Sequence, residues 1–293
     1  MTEITKAVIP AAGWGTRFFP MTKAQPKEML PVVDKPAIQY VVEEAVRAGC
    51  DDILIITGRN KRAIEDHFDA SRELDMYLQG SQDQDLVKES EELRDLANIH
   101  YIRQKDQKGL GDAIFHARYH CKDEPFAVLL GDTICIPHKG AQECTKQMID
   151  AYNIYQKPII VVEEVPDDKV SDYGIIASKE ITKTVHEITT IIEKPALADA
   201  PSRLGAIGRY LLTPDIFPIL AHTKAGCKGE IQLTDALCRL EHSIGLVTSC
   251  IRYDIGDKPG WIRSNIELTL KHPQFGDIIT DAIKQQNLNN NID

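Results

Sequence analysis

The run Ile53-Leu54-Ile55-Ile56, bounded by Asp52 and Thr57, has no polar face. A strand like this cannot leave one side to water. It must be covered above and below, as parallel strands are when crossover helices pack on both faces. The residues before it fit that demand. Ala37–Ala48 places Ile38, Tyr40, Val41, Val42, Ala45 and Val46 along one broad helical face, and Gly49 follows as a stop signal. Further upstream, Ala7-Val8-Ile9-Pro10 reads as a short apolar strand. Strand, helix and strand make a βαβ unit, which is right-handed.

The alternation continues downstream. A helix is expected over Lys61–Phe68 and another near Gly111–Arg118, with strands over Ile99–Arg103, Phe126–Leu130, Pro158–Val165 and Gly174–Ala177. The polar stretch 71–98 spaces Leu74, Leu78, Leu86, Leu93 and Leu96 too sparsely for a core element and reads as a helical excursion on the surface. There is no internal repeat and no low-complexity linker. The expectation is one doubly wound α/β domain over residues 1–293 with insertions and a C-terminal helical region. In open sheets of this kind ligands sit beyond the carboxyl ends of the strands, so motifs just after strands matter most.

Charge narrows the function. The formal net charge is −10, which disfavours general binding of nucleic acid or of an acidic membrane surface. Any phosphate ligand must find a locally basic pocket. The start MTEITKAVIPAAG has no basic segment leading into a long apolar stretch, so no secretory signal and a cytoplasmic location are expected. The seven cysteines, Cys50, Cys121, Cys135, Cys144, Cys227, Cys238 and Cys250, form no CxxC pair. They are expected to be reduced and to fill the core as small hydrophobes.

Several motifs fall where ligands should lie. Gly13-Trp14-Gly15-Thr16-Arg17 follows the first strand. Its glycines let backbone N–H groups turn toward an anion, and Arg17 adds a fork of donors suited to phosphate. A GxG by itself more often marks a tight turn. Position 18 is Phe, which breaks GxGxxG, and no GxxxxGK[ST] occurs. Lys27 lies ten residues beyond Arg17 and adds a second cation. Asp132 ends the strand Val128-Leu129-Leu130, where a carboxylate can hold Mg²⁺ beside substrate phosphates, and Asp254 follows another short apolar strand. Glu193 and Lys194, in Ile191-Ile192-Glu193-Lys194-Pro195, are adjacent on an extended segment and so point to opposite faces. Both can address one ligand only if the backbone kinks there.

Taken together, these motifs resemble the bacterial-type UTP–glucose-1-phosphate uridylyltransferases, or UDP-glucose pyrophosphorylases. The resemblance runs from Lys6 to about Leu270. It rests on AAGWGTRFFPMTKAQPKEMLPVVDKPAIQYVVEEA, IEDHFDASRELD, YIRQKDQKGLGDAI, LLGDT, IIEKP, GEIQLTDAL and YDIGDKPG. It implies a Rossmann-like three-layer α/β sandwich with a mixed sheet, of the nucleotide-diphospho-sugar transferase type. It also implies a homodimer or homotetramer, Mg²⁺ as cofactor, and UTP and glucose 1-phosphate as substrates. By position, Ala12, Gly13, Gly15 and Thr16 would wrap the nucleotide. Arg17 would meet the leaving pyrophosphate and Lys27 the triphosphate. Gln104 and the Gly109 amide would read the uracil edge, the glutamine offering both a donor and an acceptor. Asp132 would hold Mg²⁺ with Asp254 as second ligand. Gly174 and Glu193 would bind sugar hydroxyls, and Lys194 the sugar-linked phosphate.

The departures are Trp14, where a small or aliphatic residue is usual, and Arg203 and Gly205, where Asn and Ala are. The last two put the choice of sugar in question. A thymidylyltransferase acting on the same sugar phosphate would share the glycine turn and both carboxylates. PKEML, EIQLTDAL and the 71–98 excursion favour the uridylyl enzyme. A non-catalytic nucleotide-sugar sensor would be expected to lack Arg17, Lys27 or Asp132, and all three are present. The broken GxGxxG counts against a NAD-dependent oxidoreductase.

Overall fold

The computed structural model describes residues 3–81, 83–226, 229–240 and 242–289. In chain order the first strands are β1 (Lys6–Pro10), β2 (Pro31–Val32), β3 (Lys35–Pro36), β4 (Asp52–Thr57) and β5 (Asn98–Arg103). They are followed by β6 (Phe126–Leu129), β7 (Thr133–Pro137), β8 (Ile159–Glu164), β9 (Gly174–Thr182) and β10 (Val185–Glu193). The last are β11 (Leu204–Leu212), β12 (Ile244–Leu246) and β13 (Cys250–Asp254). Nine of them form one mixed sheet in the order β5-β4-β1-β6-β11-β8-β12-β10-β9. Its first half is parallel, β1 pairing with β4 and β6, and β4 with β5. At β11 the direction reverses, since that strand runs antiparallel to both β6 and β8.

The helices are α1 (Ala37–Arg47), α2 (Arg62–Phe68), α3 (Arg72–Ser81), α4 (Gln84–Arg94), α5 (Leu110–His116) and α6 (Arg118–Cys121). After them come α7 (Cys144–Tyr155), α8 (Ile216–Ala221), α9 (Leu233–Leu237), α10 (Lys258–Lys271) and α11 (Gly276–Asn289). Two cores flank the sheet because strand side chains alternate. Ala7, Ile9, Ile53 and Ile55 face one way and pack with Ile38 and Val42 of α1 and Met148 of α7. Val8, Leu54 and Ile56 face the other way and meet Ile114 of α5, Phe217 of α8 and Ala236 of α9. The result is a three-layer sandwich. Over the stretch 71–98, α3 and α4 pack on each other with Leu74 and Leu86 exposed. No helix of the described residues is long and apolar enough to cross a membrane.

The expected elements do not include β7, β12 or α7–α9, and two further strands differ from expectation. Strand β9 runs five residues past the expected end at Ala177, because β10 pairs with it antiparallel along most of its length. Strand β11, at the heart of the sheet, shows no clear periodicity in the sequence. Gly205 and Gly208 interrupt its apolar run, and the pairing with β8 shifts register between Ala206 and Tyr210. Gly208 is required there. Its φ is +83°, and a Cβ would lie 2.6 Å from Leu130 Cδ1. The cysteines divide. Cys50, Cys121, Cys135 and Cys144 are buried as expected, but Cys238 is exposed and Cys250 half-buried, each lying near the domain surface. Cys227 lies outside the described residues.

Strand β11 also carries a wholly buried charge. The Arg209 guanidinium donates through Nη2 to Glu44 Oε2 at 2.7 Å and to the Thr133 carbonyl at 2.7 Å, and through Nη1 to the Leu130 carbonyl at 3.3 Å. Thr145 donates its hydroxyl (2.6 Å) and its backbone N–H (3.2 Å) to Glu44 Oε1. Burial works against the charged guanidinium, but Glu44 more than offsets it and keeps Arg209 protonated. Removing one partner of such a pair strands the other charge. Arg209→Met is therefore expected to lose about 3–5 kcal/mol in denaturant unfolding, and adding Glu44→Gln to recover only part of that loss, because the Leu130 and Thr133 carbonyls stay unpaired.

Candidate active site

Two cavities adjoin at the carboxyl ends of the central strands. The larger, about 490 Å³, is lined by Ala12, Gly13, Gly15 and Thr16 of the first loop, by Lys27, and by Gln104 and Gly109. The smaller, about 270 Å³, is lined by Arg17, Gly174, Glu193, Lys194 and Asp254. Asp132, Leu110, Leu130 and Glu230 line both. The residues singled out in the sequence thus fall into one continuous site, with Asp132 at the junction. Arg17 lies on the smaller side, apart from Lys27.

Local backbone explains the first loop. Gly15 adopts φ +67°, and a Cβ there would come within 3.2 Å of Lys27 Cβ, so the glycine lets the Lys27 turn pack against the loop. Thr22 closes the loop by donating its hydroxyl to the Gly15 carbonyl at 2.7 Å. Residues Lys27–Met29 form one 3-10 turn between Pro26 and Leu30. It splits two charges: Glu28 turns inward to a buried ion pair with Lys61 at 2.7 Å, while Lys27 reaches Asp132 Oδ2 at 2.5 Å. Burial opposes both charges of the second pair. The mutual attraction of Lys27 and Asp132, helped at Asp132 by Arg17, still holds the carboxyl below its usual range and the ammonium above its own.

Asp254 reaches the same place by strand pairing. Strands β13 and β7 run antiparallel with Asp254 opposite Thr133, and Ile255 N–H donates to the Asp132 carbonyl at 3.1 Å. A Cβ on Gly256 would lie 3.0 Å from Asp254 Oδ1, 3.6 Å from Asp132 Oδ2 and 3.8 Å from Arg17 Nη1. Both carboxylates and the arginine therefore surround one bare glycine. Asp254 is held by Arg252 Nη1 and the Tyr173 hydroxyl, each donating at 2.8 Å, and by Gly256 N–H at 2.9 Å. Burial pushes the Tyr173 phenol up to about 12, so it stays a donor. Among the described residues no cluster of three or more His, Cys, Asp or Glu forms a metal cage. Two carboxylates beside a polar cavity suit a hard cation such as Mg²⁺, which takes the rest of its shell from water and substrate phosphates.

On the other wall, Lys194 adopts φ +46°. This left-handed residue supplies the kink that an extended Glu-Lys pair needs. Both side chains line the smaller cavity and their charges lie 3.5 Å apart. Glu193 also accepts from the Thr234 hydroxyl at 3.0 Å, and its backbone pairs with Gly174. Of the departures noted in the sequence, Trp14 is among the residues lining the larger cavity and is 68% exposed. Arg203 lines neither cavity and forms a surface ion pair with Asp167. Gly205 underlies Tyr173, whose Cβ would stand 3.2 Å from a Cβ at that position.

Gln104 is buried at the end of β5. Its Nε2 donates to Asp112 Oδ2 at 2.6 Å and to the Gly109 carbonyl at 3.2 Å. Both amide hydrogens are taken, so the amide offers the cavity an acceptor only. The donor expected from the sequence is not free. Sequence reasoning also passed over Gln107, Glu230, Tyr173 and Arg252. Gln107 donates to the Ala12 carbonyl at 2.5 Å, and its Oε1 is buried without a partner. No spacing signal marks these residues, although Glu230 sits in the GEIQLTDAL segment.

A family profile described as "Nucleotidyl transferase" matches residues 6–261. The chain belongs to the nucleotidyl transferase family. A Staphylococcus saprophyticus protein named UTP–glucose-1-phosphate uridylyltransferase 2 is 49% identical over 292 residues, covering 99% of this chain and 100% of that protein. A solved UDP-glucose pyrophosphorylase complexed with UDP-glucose superposes with a TM-score of 0.84 at 45% identity, covering 92% of this chain and 100% of that one. A UTP-bound enzyme of the same kind from Acinetobacter baumannii gives 0.89 at 37% identity, covering 96% and 98%. In this nucleotidyl transferase Gly174 is a close-approach position. A Cβ there would meet Thr234 Cγ2 at 2.8 Å and Glu193 Oε2 at 3.3 Å. Gly174→Ala is expected to raise the KM for the smaller cavity's ligand several-fold while leaving that for the larger cavity's ligand little changed, as steady-state kinetics with each substrate varied would show.

Proposed function

We propose that the enzyme transfers the uridylyl group of UTP to glucose 1-phosphate, giving UDP-glucose and pyrophosphate. The observation that best supports this is the pair of adjoining cavities sharing Asp132. One is sized and lined for a nucleotide and the other for a small polar anion, with cations on both walls. The named relatives and structural neighbours act on or bind the same compounds.

The chemistry asks little of acid–base groups. A sugar phosphate carries about −1.5 to −2 charge at neutral pH, so its oxygen is already a nucleophile. It forms a bond to the α-phosphorus of UTP as the bond to the β-phosphate oxygen breaks, and pyrophosphate leaves with the electron pair. No proton need be moved, which is why a site with no catalytic histidine suffices. What the protein must do is bring two polyanions together inside a net-acidic chain. Lys27 on the larger-cavity side and Arg17 with Lys194 on the smaller would do so by positioning and charge. Asp132 and Asp254 would hold Mg²⁺, which when bound neutralises phosphate charge. Lys27 now pairs with Asp132. Lys27 also lines the larger cavity, so with Mg²⁺ on that carboxylate its ammonium would be available to the triphosphate.

Asp132→Asn is expected to lower kcat by about 10²–10³ in a pyrophosphate-release assay, by analogy with loss of one transition-state donor. The thermal unfolding midpoint should stay close to wild type. Wild-type turnover by the purified variant in Mg²⁺ contradicts the assignment of Asp132.

Base and ribose selectivity separate in the same assay. Uracil and thymine share the imide edge, so an acceptor on Gln104 cannot tell them apart. A methyl-sized difference changes binding by only about 1–3 kcal/mol, whereas a site that bonds a hydroxyl rejects its absence more strongly. UTP and 5-methyl-UTP are expected to perform alike, and dUTP and dTTP poorly. Efficient use of dUTP with failure of 5-methyl-UTP makes a methyl pocket the selector instead.

A further inference from the structure

We propose that Asp112 is the positioning residue behind the choice of uracil, because it fixes which end of the Gln104 amide meets the base. This rests on reading the larger cavity as the nucleotide site. A glutamine amide has nearly the same shape in either orientation. Turned one way it shows a base an acceptor, and turned the other way a pair of donors. Gln104 alone therefore does not encode a base. Its surroundings must.

Those surroundings are one-sided. The Gln104 side chain faces the Asp112 carboxylate at 2.6 Å and the Gly109 carbonyl at 3.2 Å. An ionised carboxylate and a carbonyl accept hydrogen bonds and donate none. An amide rotated by half a turn would set its oxygen against both. The NH₂ group is thereby held inward and Oε1 is the atom left for the cavity that Gln104 lines. An acceptor there suits the N3–H of uracil and repels the N3 lone pair of cytosine.

Asp112 is itself well fixed. It lies in the first turn of α5, just after Gly109, where a helix N-terminus favours negative charge. Its side chain is 15% exposed. His116, one turn later, hydrogen-bonds the Asp112 carbonyl through Nδ1 at 2.8 Å, with the same nitrogen 3.8 Å from Oδ2. The bond to Gln104 is charge-assisted and so stronger than the neutral one to Gly109, which makes Asp112 the dominant constraint. Gln104 is anchored at the backbone too, through N–H donation to the Thr57 carbonyl at 2.8 Å.

The test compares kcat/KM for UTP and for CTP, with glucose 1-phosphate, in wild type, Asp112→Asn, Asp112→Ala and Gln104→Ala. Calorimetric binding of the two nucleotides is measured alongside, so that a slow variant still reports its preference. The amide of Asp112→Asn can donate as well as accept, and the side chain of Asp112→Ala does neither. Both are expected to lower the UTP:CTP ratio by roughly tenfold or more. Part of that change should come from an absolute gain with CTP. A merely structural role would weaken both nucleotides together and leave the ratio alone. An unchanged ratio in both Asp112 variants, with a changed ratio in Gln104→Ala, overturns the proposal and leaves the nucleotide-site reading standing. An unchanged ratio in Gln104→Ala overturns the base-site reading and the proposal with it.

Discussion

The loop that carries Asp132 depends on a buried ion pair that lines neither cavity. Arg209 and Glu44 are both shielded from water, and taking two charges out of water costs several kcal/mol each unless the remaining donors and acceptors are used. Here they are. After meeting Glu44, the guanidinium spends its other hydrogens on the carbonyls of Leu130 and Thr133. Those carbonyls bracket Asp132. Arg209 thus fastens the loop that carries the metal-binding candidate to α1 on one side and to the central strand on the other. A hydrophobic isostere would fill the same space but would leave that loop's carbonyls unpaired. The neighbouring bulge at Gly208 serves the same loop, since its bare Cα lets Leu130 close over it and its carbonyl accepts the Leu130 N–H at 3.0 Å.

Electrostatics inside the site run against the charge of the whole chain. A net charge of −10 repels anionic substrates at long range, but a Debye length of about 8 Å at physiological ionic strength confines that effect. Within the cavities the local arrangement decides. Lys27 is paired with Asp132, Lys194 with Glu193, and Arg17 stands beside the two aspartates. Each cation is matched by a carboxylate, so the site carries little uncompensated positive charge before substrate arrives. A cation and a triphosphate bound there would exchange partners within a prearranged set, which needs less reorganisation than creating new charge would.

Much of this was legible along the chain. The strands β1 and β4 with α1 between them announce themselves by periodicity, and the glycine turn, Lys27, Asp132 and Asp254 all follow strands. The structure gathers every candidate catalytic, binding and metal residue around two joined cavities, and leaves Arg203 and Gly205 outside both. Other features had no sequence signal. Strand β11 is interrupted by Gly208, which makes a close contact with Leu130 some eighty positions earlier, and by Gly205, which underlies Tyr173. Arg209 reads as an unremarkable basic residue until Glu44, 165 positions away, is placed beside it. Glu193 and Lys194 appeared to oppose each other, and only the left-handed backbone at Lys194 turns both into one cavity. Cys238 and Cys250 were expected in the core, yet sit where their elements meet solvent.

The sequence by itself determined the order and type of most elements and the chemical inventory of the site. Those properties follow from local periodicity and from residue type, which the chain carries wherever it folds. It could not determine which carboxylates share a point in space, which charges cancel in the core, or which end of the Gln104 amide faces the larger cavity. These were decided by tertiary structure, because each is set by a contact across strands or between loops. A side chain's hydrogen-bonding role is fixed only when its partners are, and a carboxylate that accepts but never donates is what turns a symmetric amide into a selective one.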